Sequence, residues 1–236
     1  GEGTTVFTEL PTYDRTLTLC RRHKTQVVGI PLEKDGPNMD ALETALGKHN
    51  PKFFYVIPDF QNPSGATASL EKRQQLVAMA RKHNLLLLED SPYRPLRYRG
   101  EQLPSLFELG PDCTLQMSSY TKQISPGIRV GYIVGDADLV AKIAQVAEDT
   151  YITPNLMGQG IVHEFIRRGW LETQLSELKA LYGNRLKVET YNDNSRPTNA
   201  EVFEIFNGRP YADYVEENYN AMVASHMQQE RDKLLF

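Results

Sequence analysis

The chain has 236 residues, of which 40% are hydrophobic and 24% are charged, and its formal net charge at pH 7 is -4. This balance is typical of a globular domain and excludes a disordered chain. The negative charge, without a long basic run, argues against a nucleic-acid-binding surface. No apolar run approaches the length of a membrane span, and no signal-peptide pattern occurs at the start. We therefore expect neither a nucleic-acid nor a membrane partner.

The chain contains two cysteines, Cys20 and Cys113, which do not occur at a metal-binding spacing. Both lie in apolar sequence and are interpreted as buried thiols, so no metal site is expected. Unpaired buried thiols favour a reducing, cytoplasmic location.

The first two thirds of the chain alternate short β-rich runs with helical patterns. In chain order, strands are predicted at 4–8, 26–30, 53–57, 85–88, 114–118 and 130–134, and helices at 14–23, 39–49 and 69–83. The four leucines of the fourth strand lack polar alternation, which predicts a central strand buried on both faces. From 136 to about 188 the pattern is helical, with interruptions at Pro154 and Gly169. This order predicts an α/β fold, with a mainly parallel sheet sandwiched by helices.

The composition changes near residue 190. Residues 191–199 are rich in Asn, Ser and Pro, which is typical of a linker or an exposed loop. Residues 211–236 are predicted to form one charged helix. We therefore divide the chain into a domain at 1–189 and a linker with a C-terminal segment at 190–236.

Three polar clusters follow predicted strands at their carboxyl ends, where an open α/β sheet binds its ligands. Asn62 follows the third predicted strand, Asp90 and Tyr93 follow the leucine strand, and Ser119 and Lys122 follow the fifth. Taken singly, each residue has a simpler interpretation. Asp90 fits a helix N-cap, Asn62 a turn and Lys122 a solvated surface.

Taken together, the clusters contain the groups that a lysine-bound aldehyde cofactor requires. A lysine that forms a Schiff base needs a partly buried, electrostatically tuned site. A pyridine ring used as an electron sink needs a carboxylate at its nitrogen, and Asp90 is of the right type. A ring hydroxyl needs hydrogen-bond partners such as Asn62 and Tyr93. A phosphate group needs fixed donors and a cation, for which Ser119 and Arg129 are suited.

These clusters resemble the large domain of the class I/II, fold-type I pyridoxal-phosphate-dependent aminotransferases. The resemblance is carried by PDFQNPSG at 58–65, EDSPY at 89–93 and SYTKQISPGIRVG at 119–131. Within that family it is closest to the branch of 2-aminoadipate aminotransferases and the effector domains of aminotransferase-like transcription regulators. It covers roughly residues 1–188, so the expected large domain is incomplete at both ends.

The resemblance implies a role for each matching residue. Lys122 is expected to bind the cofactor and then to move the proton at the substrate α-carbon. Asp90 is expected to pair with the pyridinium nitrogen, while Asn62 and Tyr93 contact the ring hydroxyl. The catalytic residues are thus expected to be Lys122, Asp90 and Tyr93.

Further implied contacts reach the phosphate and the face of the ring. Ser119 and Arg129 are expected to hold the phosphate, and Thr121 to add a contact. Tyr13 matches the aromatic residue that stacks on the cofactor ring, with a core-packed tyrosine at a helix start as the alternative. The family's arginine for the substrate carboxylate is not assigned to any residue.

The implied reaction is amino-group transfer between an α-amino acid and a 2-oxo acid, with pyridoxal 5'-phosphate as cofactor, in a homodimer. Three alternatives stay open. The same site supports other reactions of this cofactor, such as β-elimination or decarboxylation. The chain also fits the effector domain of a transcription regulator or a non-catalytic, truncated family member.

Overall fold

The computed structural model describes the backbone of residues 2–187 and the side chains of residues 2–183. Within this range the strands are β1 (Thr5–Leu10), β2 (Gln26–Glu33), β3 (Gly36–Pro37), β4 (Phe54–Val56), β5 (Leu87–Asp90), β6 (Thr114–Ser119) and β7 (Gly131–Val134). They form a sheet in the order β3-β2-β1-β4-β5-β6-β7. Strands β2, β1, β4, β5 and β6, which are neighbours in this order, are parallel to one another. The edge strands pair antiparallel, β3 with β2 and β7 with β6.

Seven α-helices connect and follow these strands in the described range. They are α1 (Asp14–Arg22), α2 (Met39–Leu46), α3 (Leu70–His83), α4 (Leu106–Leu109), α5 (Ala137–Tyr151), α6 (Leu156–Arg167) and α7 (Trp170–Lys187). The predicted α/β fold with a mainly parallel sheet is therefore confirmed. The predicted interruptions at Pro154 and Gly169 separate α5, α6 and α7.

The core lies between the middle strands and helices α2, α3 and α4. Phe7, Phe54 and Leu87 of the sheet pack in one cluster with Leu42 of α2 and Leu76 of α3, all of them fully buried. Burying large apolar side chains of this kind is the main favourable contribution to folding.

The leucine strand begins two residues later than predicted. Helix α3 ends at His83 and is capped by Asn84, which adopts a left-handed conformation (φ 52°); the amide of Leu85 donates to the carbonyl of Ala80 and closes the helix end. Leu85 therefore belongs to the helix cap, and β5 runs from Leu87 to Asp90. Asp90 is the last residue of the strand, whereas the prediction placed it after the strand.

Two predictions about burial also need correction. The leucine strand is not buried on both faces, because Leu86 and Leu88 are only half-buried. Cys20 is buried as predicted, whereas Cys113, which directly precedes β6, is half-buried; both are free thiols. None of the helices within the described range is long and apolar enough to cross a membrane. The loop predicted at 191–199 and the helix predicted at 211–236 lie outside the described residues.

A buried ion pair anchors the loop that follows β4. The side chains of Arg73 on α3 and Asp59 are fully buried and pair through two contacts, Nη2–Oδ1 at 2.9 Å and Nη1–Oδ2 at 3.1 Å. The other guanidinium N–H groups donate to the carbonyl oxygens of Pro58, Ala68 and Pro104. All five guanidinium N–H groups are thus used, and they fix the start of this loop to α3.

The side chain of Gln61 joins two segments at the same edge of the sheet. Its amide nitrogen donates to Glu9 Oε2 at 3.1 Å and to the Pro11 carbonyl at 2.8 Å. Its amide oxygen accepts from Ser64 N at 2.9 Å and Ser64 Oγ at 2.6 Å. Glu9 is buried and also accepts from the amide of Ile57 at 3.1 Å. These bonds hold the segment before α1 against the turn after β4.

We expect Arg73→Ala to lower the free energy of unfolding by about 3–5 kcal/mol, because it removes the bidentate partner of the buried Asp59 carboxylate and leaves it one hydrogen bond, from Arg97 Nη2 at 2.8 Å. Urea unfolding measures this change. The matched control is Arg81→Ala on the same helix, which breaks the solvent-exposed pair with Asp112 and should have little effect. Equal losses in the two variants would contradict the importance of the buried pair.

Glu9 is expected to make stability depend on pH. Burial raises the pKa of Glu9 from 4.5 to about 8, and the bond from Gln61 opposes this shift. Between these values the folded protein holds a proton that the unfolded chain lacks, so the stabilisation is complete below about pH 4.5 and is lost as the pH rises through about 8.

Glu9→Gln should remove much of this pH dependence, which we expect to amount to roughly 2–4 kcal/mol between pH 5 and pH 8.5. Urea unfolding at the two pH values measures it. Glu71→Gln, at an exposed position of α3, should leave the dependence intact. An unchanged slope in Glu9→Gln would show that Glu9 does not titrate in this range.

Candidate active site

A pocket of about 130 Å³ lies at the carboxyl edge of the sheet, where the neighbouring strands β4 and β5 end. Because these strands are parallel and adjacent, the residues that follow them converge at this edge. Five residues predicted from the sequence line the pocket together with Ile57 and Pro92; they are Tyr13, Asn62, Asp90, Tyr93 and Lys122.

The carboxylate of Asp90 is held by a tyrosine that the sequence analysis did not select. The hydroxyl of Tyr55, a buried residue of β4, donates to Asp90 Oδ2 at 2.5 Å. Burial raises the pKa of Asp90, and the hydrogen bond from Tyr55 opposes that shift. Among the described residues, Asp90 Oδ1 accepts no hydrogen bond, so this oxygen can accept one from a ligand in the pocket.

Lys122 is exposed rather than partly buried as predicted. It lies in the turn after β6, and its Nζ is 5.5 Å from the centre of the Tyr93 ring. The neighbouring Gln123 is buried and donates to the carbonyl of Ser119 at 3.2 Å. The turn is therefore fixed by Gln123, while the amine of Lys122 faces open space beside the Tyr93 ring.

Tyr13 and Asn62 are also exposed where they line the pocket. Tyr13 directly precedes α1, and its side chain is 38% exposed. This contradicts the alternative in which Tyr13 packs in the core. Asn62 follows Gln61, whose bonds to the segment before α1 bring the two chain segments together.

Ser119, Thr121 and Arg129 do not line the pocket. Ser119 ends β6, and Thr121 and Arg129 lie in the connection between β6 and β7. Ser119 Oγ and Thr121 Oγ1 are 2.8 Å apart, and Ser119 Oγ accepts from the amide of Thr121 at 3.1 Å. Ser119 Oγ also donates to the carbonyl of Val130 at 3.2 Å, next to Arg129. Within the part of the chain that the structure describes, the exposed guanidinium of Arg129 has no ion-pair partner, which suits it to bind an anion.

The turn that carries Arg129 is braced by helix α6. Arg129 itself has a left-handed backbone conformation (φ 50°). The side chain of Asn155, which caps α6, donates to the Ile128 carbonyl at 3.1 Å and accepts from the amide of Gly158 at 2.9 Å. A Cβ atom at Gly158 would lie 2.8 Å from the Ile128 carbonyl, so only glycine permits this close approach.

Gly131 has a similar steric role in the motif that contains Lys122. It pairs with Ser119 across β6 and β7, and a Cβ atom there would lie 2.9 Å from the carbonyl of Ser118. A larger residue would therefore separate the two strands where the candidate phosphate contacts lie.

Sequence reasoning did not identify Tyr55, Glu9, Gln61 or Asn155. The sequence did offer a sign of two of them. Tyr55 lies within a predicted apolar strand and Glu9 directly follows one, and a polar group at such a position needs a buried partner. Gln61 lay within the PDFQNPSG motif without an assigned role. Asn155 carried no signal, since its contact with the Arg129 turn depends on how α6 packs.

These residues fit pyridoxal phosphate. The pocket wall contains a flat aromatic ring (Tyr13), a half-buried carboxylate with one oxygen available (Asp90) and a lysine (Lys122). A hydroxyl pair and a guanidinium lie in the turns next to Lys122. A carboxylate, an amine and an anion-binding group are the donor set that this cofactor requires.

A second pocket, of about 270 Å³, shares Tyr93 and Lys122 with the first. Its other lining residues are mostly apolar or aromatic; they are Phe60, Leu96, Tyr98 and Tyr182. Lys122 therefore lines two concave surfaces.

Comparison with known proteins gives one consistent family. Residues 1–182 match the family model for aminotransferase class I and II. The 2-aminoadipate transaminase of Thermus thermophilus is 32% identical over 191 residues, covering 79% of this chain and 48% of that protein. The probable rhizopine catabolism regulatory protein MocR of Rhizobium meliloti is 28% identical, covering 79% of this chain and 37% of that protein.

Solved structures agree with this result. The crystal structure of the α-aminoadipate aminotransferase of Thermus thermophilus, complexed with N-(5'-phosphopyridoxyl)-L-leucine, matches with a TM-score of 0.75 and 31% identity, over 79% of this chain and 49% of that one. The kynurenine aminotransferase of Pyrococcus horikoshii matches with a TM-score of 0.76 and 29% identity, over 78% and 47% of the two chains.

The chain spans about half the length of the relatives that it matches. Over that half, the family match, the order of the strands in the sheet and the motifs at the strand ends all indicate the same family. The chain belongs to the class I and II aminotransferases, the fold-type I enzymes that depend on pyridoxal phosphate.

Proposed function

We propose that the protein transfers an amino group between an α-amino acid and a 2-oxo acid with pyridoxal 5'-phosphate as cofactor. The observation that carries this proposal is the single pocket lined by Lys122, Asp90, Asn62, Tyr93 and Tyr13. Three separate strand-end motifs contribute Asn62, Asp90 with Tyr93, and Lys122, in the order in which the family uses them. Tyr13 comes from the segment before α1. When bound, pyridoxal phosphate supplies a protonated ring that withdraws electrons from the substrate α-carbon.

In this proposal Lys122 carries the cofactor and later moves the proton at the substrate α-carbon. Its exposed amine and the open space on both sides support access by a substrate. Asp90 accepts the N–H of the cofactor ring through its available carboxylate oxygen. Tyr93 and Asn62 contact the ring hydroxyl, and the ring of Tyr13 stacks on the cofactor.

The phosphate is assigned to the turns between β6 and β7. Ser119 and Thr121 offer hydroxyl groups, and Arg129 offers a cation without a competing carboxylate among the described residues. Helix α6 supports this arrangement, because Asn155 fixes the Ile128 carbonyl next to Arg129. A guanidinium on a backbone fixed in this way can form charge-assisted, bidentate hydrogen bonds to a phosphate.

We further propose that the whole protein is a cytoplasmic homodimer. Helices α5 and α6 expose large apolar side chains; these include Val146, Tyr151, Ile152, Leu156 and Met157. Exposed apolar surface of this extent supports association with a second copy. The two free cysteines support a reducing compartment.

A second candidate function is favoured by one comparison. A regulatory protein of Rhizobium meliloti is among the relatives at 28% identity, so an effector-binding domain that uses the same cofactor site is the alternative. The two functions differ in turnover. An aminotransferase converts many equivalents of amino acid and 2-oxo acid, whereas an effector domain binds its ligand without sustained product formation.

We expect the purified chain with added pyridoxal phosphate to show the visible absorbance band of a lysine-bound cofactor. Borohydride should trap the cofactor on one peptide containing Lys122. Lys122→Ala should abolish both signals, because it removes the amine that binds the aldehyde. Lys142→Ala, at an exposed position of α5, is the matched control. Labelling that persists in Lys122→Ala or is spread over surface lysines would refute the assignment.

Asp90→Ala should keep part of the cofactor band but lower amino-transfer turnover by roughly 100-fold or more, since it removes the charge that stabilises the protonated ring. Turnover is measured as 2-oxo acid formed from an amino donor without net ammonia. Cofactor binding without turnover for any amino donor would favour the effector domain. Ammonia release would indicate a different reaction of the same cofactor.

A further inference from the structure

The bond between Tyr55 and Asp90 follows directly from the register of two parallel strands. Tyr55 on β4 pairs with Leu88 on β5. Asp90 lies two residues beyond Leu88, so its side chain projects from the same face of the sheet. A long side chain at position 55 is therefore needed to reach Asp90, and the tyrosine hydroxyl does so at 2.5 Å.

The electrostatic surroundings require such a donor. Tyr55 is 1% exposed, and burial is the largest cause of the raised pKa of Asp90. The bond from Tyr55 is the one influence that lowers this pKa. Burial is also the largest cause of the raised pKa of Tyr55; the charge of Asp90 and the bond to it raise this pKa further, and a bond with Thr16 opposes the shift. Tyr55 thus remains a neutral donor while Asp90 is the acceptor.

The other carboxylate oxygen distinguishes this pair from an ordinary core hydrogen bond. Asp90 lines the pocket and Tyr55 does not. Asp90 Oδ2 accepts the hydrogen bond from Tyr55, and Asp90 Oδ1 accepts none from the described residues. A core pair with no further role would have both oxygens satisfied by the protein.

We propose that Tyr55 is a positioning residue that orients the Asp90 carboxylate and stabilises its charge where it meets the ring nitrogen of the cofactor, an inference that rests on the proposed function. Tyr55 itself makes no contact with the cofactor. Its action passes through Asp90, so its contribution should vanish when Asp90 carries no charge.

The first test needs no cofactor. Carboxyl carbons of aspartate are labelled with ¹³C, and the titration of Asp90 is followed by NMR in the cofactor-free chain, with Asp90→Asn used to assign its signal. Tyr55→Phe should move the titration midpoint of Asp90 to higher pH, because only the donating hydroxyl is lost. Ser118→Ala is the matched control, since it removes a buried hydroxyl that donates to the carbonyl of Ser91 rather than to the carboxylate. Equal midpoints in wild type and Tyr55→Phe would overturn the proposal.

The second test is a double-mutant cycle on the dissociation constant of pyridoxal phosphate. Tyr55→Phe should weaken cofactor binding about tenfold when Asp90 is present, as expected for a hydrogen bond to a charged group. In the Asp90→Asn background the same change should have less than about a twofold effect. A tenfold loss in both backgrounds would show that Tyr55 acts on the fold in general, which would overturn the proposal.

The NMR titration and the borohydride labelling together separate this inference from the proposed function. One outcome is that borohydride labels no specific lysine while the titration midpoint of Asp90 still shifts in Tyr55→Phe. In that case the proposed function fails, and the effect of the Tyr55 hydrogen bond on Asp90 stands. If Lys122 is labelled but the midpoint does not shift, the function stands and the role of Tyr55 is wrong.

Discussion

The structure depends on one constraint: neighbouring parallel strands must end at the same edge of the sheet. Strands β4, β5 and β6 are adjacent and parallel, so the residues that follow them meet there even though the sequence separates them by dozens of positions. Strands buried in the middle of a sheet are apolar, and polar chemistry is therefore concentrated where they end. The candidate site occupies this edge because the topology leaves few other places for it.

Placing polar groups at that edge has an energetic consequence, since each buried charge needs a partner. The fold meets this need in three different ways. Asp59 is neutralised by Arg73 through a fully buried bidentate pair. Burial raises the pKa of Glu9 to about 8, and Gln61 donates a hydrogen bond to its side chain. Asp90 receives a single hydrogen bond from Tyr55 and keeps one oxygen available. The first two arrangements position the loops around the pocket, and the third leaves a charge ready for a ligand. Asp59 and Glu9 thus serve stability and Asp90 serves function, and all three lie at one edge of the sheet.

The elements and the main motifs were largely predictable from the sequence, because their signals are local. Apolar periodicity located the strands and helices, and the caps at Ser69 and Asn84 explain where α3 begins and ends. The error at the leucine strand arose from that same cap. Leu85 is apolar like the strand residues, so apolar content alone does not show that its amide belongs to the end of the helix. The exposure of Lys122 was also mispredicted, because burial depends on neighbours that are distant in the chain.

The sequence by itself determined the fold class, the family and the residue types at the strand ends, since these follow from periodicity and from motifs of consecutive residues. Only the tertiary structure decided which side chains support them. Tyr55 reaches Asp90 through strand register, Gln61 reaches Glu9 across two strand ends, and Asn155 reaches the Arg129 turn through helix packing. Each of these contacts joins residues more than 25 positions apart. Such a contact is determined by how the chain packs in three dimensions, so no local pattern in the sequence reveals it.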